Sequence, residues 1–160
     1  MALESTPEIL TGARSLVRAT VGLVYPTLCL SCEVRIPEVG GDALPICAAC
    51  MRKIPRATPE DIRKRLERLP EARDVFAGVF ALWIFDDGGT IQRLQHALKY
   101  RNRPQLGVRL GRFLGRELSA ARDSVVYDGV VPVPLARRRQ LDRGYNQSRE
   151  LASGIGQVLG

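Results

Sequence analysis

Apolar residues recur at helical spacing at the start of the chain. They fall on one side of a predicted helix that begins at the capping pair Ser5 and Glu8 and ends before Pro26. Its apolar face would pack against the protein or lie on a membrane surface. A second, mostly solvated helix is predicted between Thr58 and Pro70, where it would connect two units of the chain.

The pattern changes at residue 75. Residues 75–85 are rich in aromatic and β-branched side chains and predict a strand, and residues 130–134 predict a second, buried strand. Helical spacing predicts a short helix after a turn at residues 86–89, a longer helix over residues 105–121, and a last helix from Asn146 onward. Strand, helix, helix, strand, loop and helix in this order predict an α/β fold with a parallel sheet.

Three glycines, Gly107, Gly111 and Gly115, recur at every fourth position of the longer helix. Each glycine costs about 1 kcal/mol of helix propensity relative to alanine. A row of positions without Cβ atoms therefore predicts that another element approaches this helix closely.

The four cysteines of the chain form two pairs, Cys29 with Cys32 and Cys47 with Cys50. In each pair two residues separate the thiols, so that one tight turn can present both sulfurs to a single ion. Two such pairs complete the tetrahedral shell of Zn²⁺ and leave no ligand position open. The spacing therefore predicts a structural zinc site in the first fifty residues.

Other chemistries use the same residues. An iron–sulfur cluster also takes four thiolates, and the spacing alone does not separate it from zinc. A thioredoxin-like redox pair accounts for one Cys-x2-Cys but not for two. Disulfides need an oxidising compartment, whereas the N-terminus has neither the basic region nor the cleavage site of a secretory signal. We therefore expect a cytoplasmic protein, and no apolar run is long enough to predict a membrane span.

Arginine dominates the charge of the chain. The 160 residues carry a net charge of +7, and 21 of the 24 basic residues are arginine. Guanidinium groups bind phosphate oxygens in pairs, which favours phosphate-bearing partners. The plainer interpretation is that most of these side chains face water.

A basic loop over residues 137–143 precedes the last helix. Gly144 offers an unusual backbone conformation, Asn146 is a favourable N-cap, and Arg143 stands beside the helix start. Free N–H groups at a helix start bind anions, so these parts predict a phosphate or pyrophosphate site. An ordinary capped helix behind a solvated loop is the alternative.

Several motifs taken together resemble one known family. They are Tyr25 with Pro26, the two cysteine pairs, the sequence Leu-Lys-Tyr-Arg at residues 98–101, Pro-Val-Pro at residues 132–134, and Arg-Gly-Tyr-Asn-Gln-Ser at residues 143–148. On these motifs the chain resembles the ComF family, competence-associated proteins with an N-terminal zinc ribbon and a type I phosphoribosyltransferase-like domain.

The resemblance implies a set of expectations. It implies a type I phosphoribosyltransferase-like parallel sheet with helices, structural zinc, and Mg²⁺ bound together with phosphoribosyl pyrophosphate. It implies a role in DNA uptake or the use of external DNA, with single-stranded DNA and competence helicase-type proteins as partners. The residues implied in binding phosphoribosyl pyrophosphate or pyrophosphate are Lys99, Arg101, Arg143, Gly144, Tyr145, Asn146, Gln147 and Ser148.

The match is incomplete at the C-terminal end. The family's acidic pair followed by a Thr-Thr-Gly-x-Thr loop is absent from this chain, which looks like the N-terminal two-thirds of a family member. Asp86 and Asp87 do not replace it, because the glycines that follow predict a turn. The predicted units are the helix and zinc ribbon (1–55), a connector (56–74) and part of the transferase-like domain (75–160). Transferase activity is left open, and no catalytic residue is assigned.

A non-catalytic function is the alternative to binding phosphoribosyl pyrophosphate. Arg137, Arg138 and Arg139 form a basic run that is a candidate site for single-stranded DNA, with the zinc ribbon binding DNA or a partner protein. His96, the only histidine, is predicted to face solvent.

Overall fold

A computed structural model describes residues 26–37, 41–69, 75–121 and 126–160. The predicted N-terminal helix lies outside these residues, as does the end of the predicted connector. Within the described part the helices are α1 (Ala48–Arg52), α2 (Pro59–Leu66), α3 (Thr90–Tyr100), α4 (Pro104–Ala121), α5 (Arg137–Arg143) and α6 (Gln147–Leu159). The predicted helices after Thr58, after the turn at residues 86–89, over residues 105–121 and after Asn146 are confirmed as α2, α3, α4 and α6.

Helices α4 and α6 pack along the glycine row, so the predicted close approach is confirmed. A Cβ atom at Gly111 would lie 2.2 Å from the carbonyl oxygen of Leu151 on α6. From the other side, a Cβ atom at Gly154 would lie 2.1 Å from the carbonyl oxygen of Val108. Backbones this close leave room only for glycine at both positions.

The turn predicted at residues 86–89 is also confirmed, and it starts α3. The carboxylate of Asp86 accepts hydrogen bonds from the backbone N–H groups of Thr90 and Ile91, at 2.9 and 2.8 Å. It therefore satisfies donors that a helix start leaves free. Gly88 adopts a positive φ of 71° within the turn. The first acid of the Asp-Asp pair thus has a structural role.

The predicted parallel sheet, and with it the type I phosphoribosyltransferase-like fold, is wrong. The described residues contain no sheet, and their only extended pairing consists of two isolated antiparallel bridges, Leu28 with Arg35 and Arg56 with Trp83. The described part of the chain is mostly helical. The hydrophobicity of residues 75–85 and 130–134 therefore does not indicate a sheet.

Residues 130–134 lack usable edges for pairing. In an extended chain the N–H and C=O groups of one residue point to the same edge, and neighbouring residues alternate. Pro132 and Pro134 therefore remove two donors from one edge and leave only that of Val130. On the other edge, the carbonyl of Val133 already accepts hydrogen bonds from Asn146 and Ser148, at 3.1 and 2.6 Å. The segment consequently lies at the surface, where Val131 is 91% exposed.

Residues 75–85 pair with the chain only briefly. The N–H of Ala57 donates to the carbonyl of Leu82 at 3.1 Å, and the N–H of Ile84 donates to the carbonyl of Pro55 at 3.0 Å. Leu82 is buried, and Trp83 stacks on Phe113 of α4 with ring centroids 5.5 Å apart. These contacts place the segment against α4 without extending it into a ladder.

One hydrophobic core joins the cysteine-containing segment to the helices. Its buried members are Cys29, Ile36, Leu44, Ile46 and Cys50 from the first half of the chain, and Leu94, Ala97, Leu98, Leu106 and Leu110 from α3 and α4. The cysteine segment has too few large apolar residues for a core of its own, and it shares that of the helices. The cysteine segment and the helices are therefore packed as one body.

Two further expectations concern the surface. The basic run at residues 137–143, predicted as a loop, forms the seven-residue helix α5, which ends at Gly144 with a positive φ of 76°. In the part of the chain that the structure describes, the helices are too short or too polar to cross a membrane.

Candidate functional site

The four cysteine sulfurs lie together, all within 4.8 Å of one another. Cys29 and Cys32 belong to a tight turn between residues 28 and 35, where the N–H of Cys29 donates to the carbonyl of Val34 at 2.9 Å. Glu33 completes this turn with a positive φ of 61°. Cys47 caps α1 and Cys50 lies in its first turn, so a hairpin turn and a helix start provide the two halves of the cluster.

The geometry fits a single tetrahedral ion. Zinc–sulfur bonds near 2.3 Å place tetrahedral sulfurs about 3.8 Å apart, and the sulfurs of Cys32 and Cys47 are 3.6 Å apart. A disulfide bond requires about 2.05 Å, and all four thiols are free. An iron–sulfur cluster attaches its cysteines to different iron atoms and so holds them farther apart. Four sulfur donors in this compact arrangement therefore fit zinc.

Backbone N–H groups prepare the cluster for negative charge. The N–H groups of Ser31 and Cys47 lie 3.4 and 3.3 Å from the sulfur of Cys29, and the N–H of Cys50 lies 3.4 Å from that of Cys47. Burial raises the pKa of Cys29, but the N–H groups around it outweigh burial and bring its pKa to about 6.

Cys32 shows the opposite electrostatics. The Val34 N–H lowers the pKa of Cys32, but the neighbouring sulfurs of Cys50, Cys29 and Cys47 outweigh it and raise the pKa to about 12. Once one thiol has ionised, the next proton is held back by the negative charge beside it. A divalent cation compensates that repulsion, which is the reason that metal and thiolates stabilise each other.

Hydrogen bonds tie the first cysteine turn to α3. The hydroxyls of Ser31 and Thr90 are hydrogen-bonded at 2.8 Å, and Arg93 donates to the carbonyl of Ser31. Thr90 is buried at the start of α3. The turn that carries two ligands is therefore anchored to the same helix that contributes leucines to the core.

An ion-pair cluster ties the loop between the cysteine pairs to α4. The carboxylate of Asp42 accepts hydrogen bonds from Arg112 and, at 3.1 Å, from Arg116. These two guanidinium groups lower the pKa of Asp42 below its usual 3.8. Sequence reasoning missed this cluster, because 70 residues separate Asp42 from Arg112 and no local pattern links them.

A second candidate site is a cavity of about 540 Å³ between α3 and α5. Its lining includes Lys99, Asn102, Arg139, Arg143 and Gly144, and also Tyr100, Leu141 and Asp142. Three cationic side chains against one carboxylate give it a net charge of +2. Three of the residues implied in pyrophosphate binding, Lys99, Arg143 and Gly144, thus line one cavity, although Lys99 and Arg143 are 44 positions apart in the chain.

Arg143 is held in place at the edge of this cavity. Its Nη1 donates to Oε1 of Gln147 at 3.0 Å, and its guanidinium lies 5.8 Å from the ring centroid of Tyr100. Asn146 caps α6, accepting a hydrogen bond from the N–H of Ser148 at 3.1 Å. The positioned guanidinium of Arg143 and the left-handed Gly144 line the cavity, whereas the start of α6 does not, and Asn146 already occupies one of its N–H groups.

The other predicted residues fall elsewhere. Arg101 lines a different cavity, beside Cys29 and Arg103, so Lys99 and Arg101 do not lie in the same cavity. Tyr145 is buried and its hydroxyl donates to the carbonyl of Leu98, which is a packing role. Burial also raises the pKa of its phenol. Asn146 and Ser148 use their side chains to bind Val133.

The remaining basic and aromatic candidates are at the surface. Arg137, Arg138 and Arg139 are exposed on α5, and only Arg139 lines the cationic cavity. His96 is exposed, as predicted, with its ring 4.7 Å from that of Tyr100.

Comparisons with known proteins give one relative. The chain is similar to DNA utilization protein YhgH of Salmonella typhimurium, with 27% identity over an alignment of 151 residues. The alignment covers 86% of this chain and 64% of that protein, so the chain spans less than two thirds of its relative's length. No family model matches the chain, and no solved structure matches it.

Proposed function

We propose that this protein is a zinc-stabilised, ComF-like protein of DNA utilisation that binds a diphosphate-bearing sugar phosphate, phosphoribosyl pyrophosphate, in the cavity between α3 and α5. The name of the relative supports the first part, and the four-cysteine cluster supports the metal. The assignment of the ligand rests on the observation that Lys99 and Arg143, which are distant in the sequence, line one cavity.

Different residues of the cavity would bind different parts of the ligand. Arg143, already oriented by Gln147, would grip two oxygens of a diphosphate, and Lys99 would add a compact positive charge. Asp142 lies in the same lining and would accept hydrogen bonds from ribose hydroxyls. Mg²⁺ bound together with the ligand would shield the negative charge of the diphosphate.

Zinc has a structural role in this proposal. Its four ligands occupy every coordination position, which leaves none for a substrate or water. What zinc supplies is a fixed turn at residues 29–32, and that turn contacts Thr90 and Arg93 of α3. Lys99 lies at the far end of the same helix. The metal would thus keep one wall of the cavity in position.

Calorimetric titration tests the ligand. We expect phosphoribosyl pyrophosphate with Mg²⁺ to bind, and inorganic pyrophosphate to compete with it. Arg143→Ala should weaken binding at least tenfold, which corresponds to about 1.4 kcal/mol for a lost charge-assisted contact. Arg138→Ala is the matched control, because this arginine is exposed on the same helix but does not line the cavity. Equal affinities for the Arg143→Ala variant and the unaltered protein would refute the assigned site.

A second candidate function is binding of single-stranded DNA by α5. Three successive arginines, Arg137, Arg138 and Arg139, are exposed there, and none forms an ion pair with another residue that the structure describes. Exposed, unpaired arginines are suited to contacting a phosphate backbone.

The salt dependence of binding and competition by pyrophosphate distinguish the two functions. If α5 binds DNA, the affinity for a 20-nucleotide oligothymidine should fall linearly with salt on logarithmic axes. Replacing all three arginines with alanine should weaken it further, measured by fluorescence anisotropy. Binding that pyrophosphate fully displaces would place the DNA phosphates in the cavity, whereas binding insensitive to salt would count against the second function.

A further inference from the structure

An apolar groove of about 530 Å³ runs beside α2. It shares no lining residue with the cysteine cluster or with the cavity between α3 and α5. One wall is the apolar side of α2, with Ile62 and Leu66, together with Leu69, which lies three residues beyond the end of the helix. The other wall is the extended segment ahead of α3, with Val79, Trp83 and Phe85. We refer to these six residues as the α2 groove. Its volume falls within the range of about 300–1,000 Å³ that binding pockets occupy.

Among the residues that the structure describes, no element fully buries the apolar side of α2. Ile62, Leu66 and Leu69 are spaced as one side of a helix, yet α2 has no buried residue. On the facing wall, Val79 and Phe85 are 38% and 46% exposed. Large apolar side chains on both walls of one open groove mark an interaction site more often than a solvated surface.

Charges around the groove identify the kind of partner. Lys64, Arg65 and Arg68 line it, against one acid, Asp61, which gives a net charge of +2. The carboxylate of Asp61 is engaged in the capping box of α2 with Thr58, and its pKa is lowered by that hydrogen bond. A basic rim around an apolar floor complements a peptide with apolar anchors and acidic flanks.

The side chains of Arg65 and Arg68 are available for such a partner. Lys64, which lines the groove, pairs with Glu60 at 2.9 Å, and Arg63, which does not line it, pairs with Glu67 at 2.8 Å. Arg65 and Arg68 form no ion pair with any residue in the described ranges. Both are exposed, and both line the groove.

The floor of the groove disfavours nucleic acid as the occupant. Bases stack on open aromatic faces, but the ring of Trp83 is stacked on Phe113, with an angle of 18° between the ring planes. The apolar residues of the α2 wall, Ile62, Leu66 and Leu69, are aliphatic and offer no ring on which a base could stack. Leucine, isoleucine and valine side chains instead match the apolar stripe of an amphipathic helix.

We propose that the α2 groove is a docking site for an acidic, amphipathic helical segment of a partner protein. The partner's apolar residues would lie between Leu66 and Phe85, and its carboxylates would pair with Arg65 and Arg68. The site is separate from the cysteine cluster and the cationic cavity, so its failure would leave the proposed function intact.

Trp83 provides the reporter for a direct test, because it is the only tryptophan of the chain and it lines the groove. The probe is a synthetic 16-residue, tryptophan-free helical peptide with leucine at every third or fourth position and glutamate at most others. Added to the full chain loaded with zinc, it should shift the emission of Trp83 saturably. A peptide with lysine in place of glutamate, and one with serine in place of leucine, should each bind at least tenfold more weakly.

Variants of the protein locate the binding. Leu66→Glu, and Arg65→Glu combined with Arg68→Glu, should each weaken the glutamate–leucine peptide at least tenfold. Since α2 has no buried residue, these variants should keep the zinc content and melting temperature of the unaltered protein. Arg138→Glu is the control for net charge, because Arg138 is exposed and does not line the groove.

The proposal is overturned by any of three results. The first is an unchanged Trp83 emission at saturating peptide concentrations. The second is a loss of binding free energy in Arg138→Glu of at least half that in the double variant, which would mean attraction by net charge alone, because Arg138→Glu makes half of the double variant's change in charge. The third is a 15-nucleotide oligothymidine that shifts Trp83 emission and displaces the peptide, which would make the groove a nucleic-acid site.

Discussion

Around the cysteine cluster, side chains from distant parts of the chain face inward onto one another, whereas around the cationic cavity they face solvent. Cys29 is 1% exposed and lies in the same core as Leu94 and Leu110. The cavity is instead formed by surface residues of α3 and α5, and α5 has no buried residue. In the first region packing sets the geometry, and in the second local hydrogen bonds set it.

The difference determines what a substitution would report. A change at a buried cysteine acts on the metal and on the core together, so its effect on stability is large. A change at Arg143 acts on a side chain that one neighbour holds, so its effect falls on ligand binding. Measurements of stability and of binding should therefore separate the two regions, and the following predictions are ordered by expected size.

The largest effect should follow from removing a buried zinc ligand. Cys29→Ser should abolish stoichiometric zinc binding and lower the melting temperature by roughly 10 °C or more, as expected for a loss of several kcal/mol in a chain of this size. Zinc content by plasma mass spectrometry and melting by circular dichroism provide the measurements. Cys32→Ser is the matched comparison, because Cys32 is exposed and its loss should weaken zinc while sparing the core. Equal losses of stability in the two variants would contradict the conclusion that Cys29 contributes to the core and Cys32 does not.

The next effect concerns the glycine contact between α4 and α6. Gly111→Ala would place a Cβ atom 2.2 Å from the carbonyl of Leu151, so the helices must separate. We expect a loss of about 1–3 kcal/mol in the free energy of unfolding, measured with urea. Gly156→Ala on α6 is the control, since a Cβ atom there meets nothing within 4 Å. It should stabilise the protein by up to about 1 kcal/mol through helix propensity.

A smaller effect is expected at the start of α6. Asn146→Ala removes the cap on the N–H of Ser148 and a hydrogen bond to Val133, which should cost about 1 kcal/mol. Asn146→Asp keeps an acceptor for the cap and loses only the donor to Val133. Urea denaturation should therefore place the Asp variant between the other two proteins. If the Ala and Asp variants are equally destabilised, the contact with Val133 rather than the cap carries the stability.

The smallest effect depends on pH. Arg112 and Arg116 lower the pKa of Asp42 below 3.8, so in the folded protein the carboxylate holds its proton less tightly than in the unfolded chain. The stability that Asp42 contributes is therefore fully present above pH 3.8 and is lost as the pH falls through the lower, folded pKa. The difference in urea midpoint between the protein and Asp42→Asn should be constant above about pH 5 and should shrink at lower pH. A difference that stays constant down to pH 3 would show that the ion pairs are not coupled to folding.

Local features of the structure were predictable from the sequence. The turn before α3 and the cap at Asn146 depend on residues within one or two helical turns, and the glycine row that predicts the contact with α6 lies within α4 itself. The clustering of the four cysteines was also predictable, since two Cys-x2-Cys pairs can bind one metal centre, but the spacing does not separate zinc from an iron–sulfur cluster. Physical constraints of this kind act at short range, where the sequence states them directly.

The sheet could not be predicted correctly from hydrophobicity, because a strand needs a neighbour as well as an extended backbone. Val130 and Val131 resemble buried strand residues in the sequence, yet Pro132 and Pro134 remove two donors of one edge and Val133 is occupied by the start of α6. Long-range partners were equally hidden. No local pattern around Asp42 predicts its ion pair with Arg112. Apart from the family resemblance, no pattern around Lys99 predicts that it shares a cavity with Arg143.

Sharing one core between the cysteine segment and the helices has a consequence for the life of the protein in a cell. Without its metal, the segment at residues 41–54 would no longer cover the leucines of α3 and α4. Exposed leucine-rich surface increases the population of open states on which proteases and chaperones act. When zinc is scarce, the amount of folded protein in the cell would then fall, whereas the activity of each remaining molecule would not.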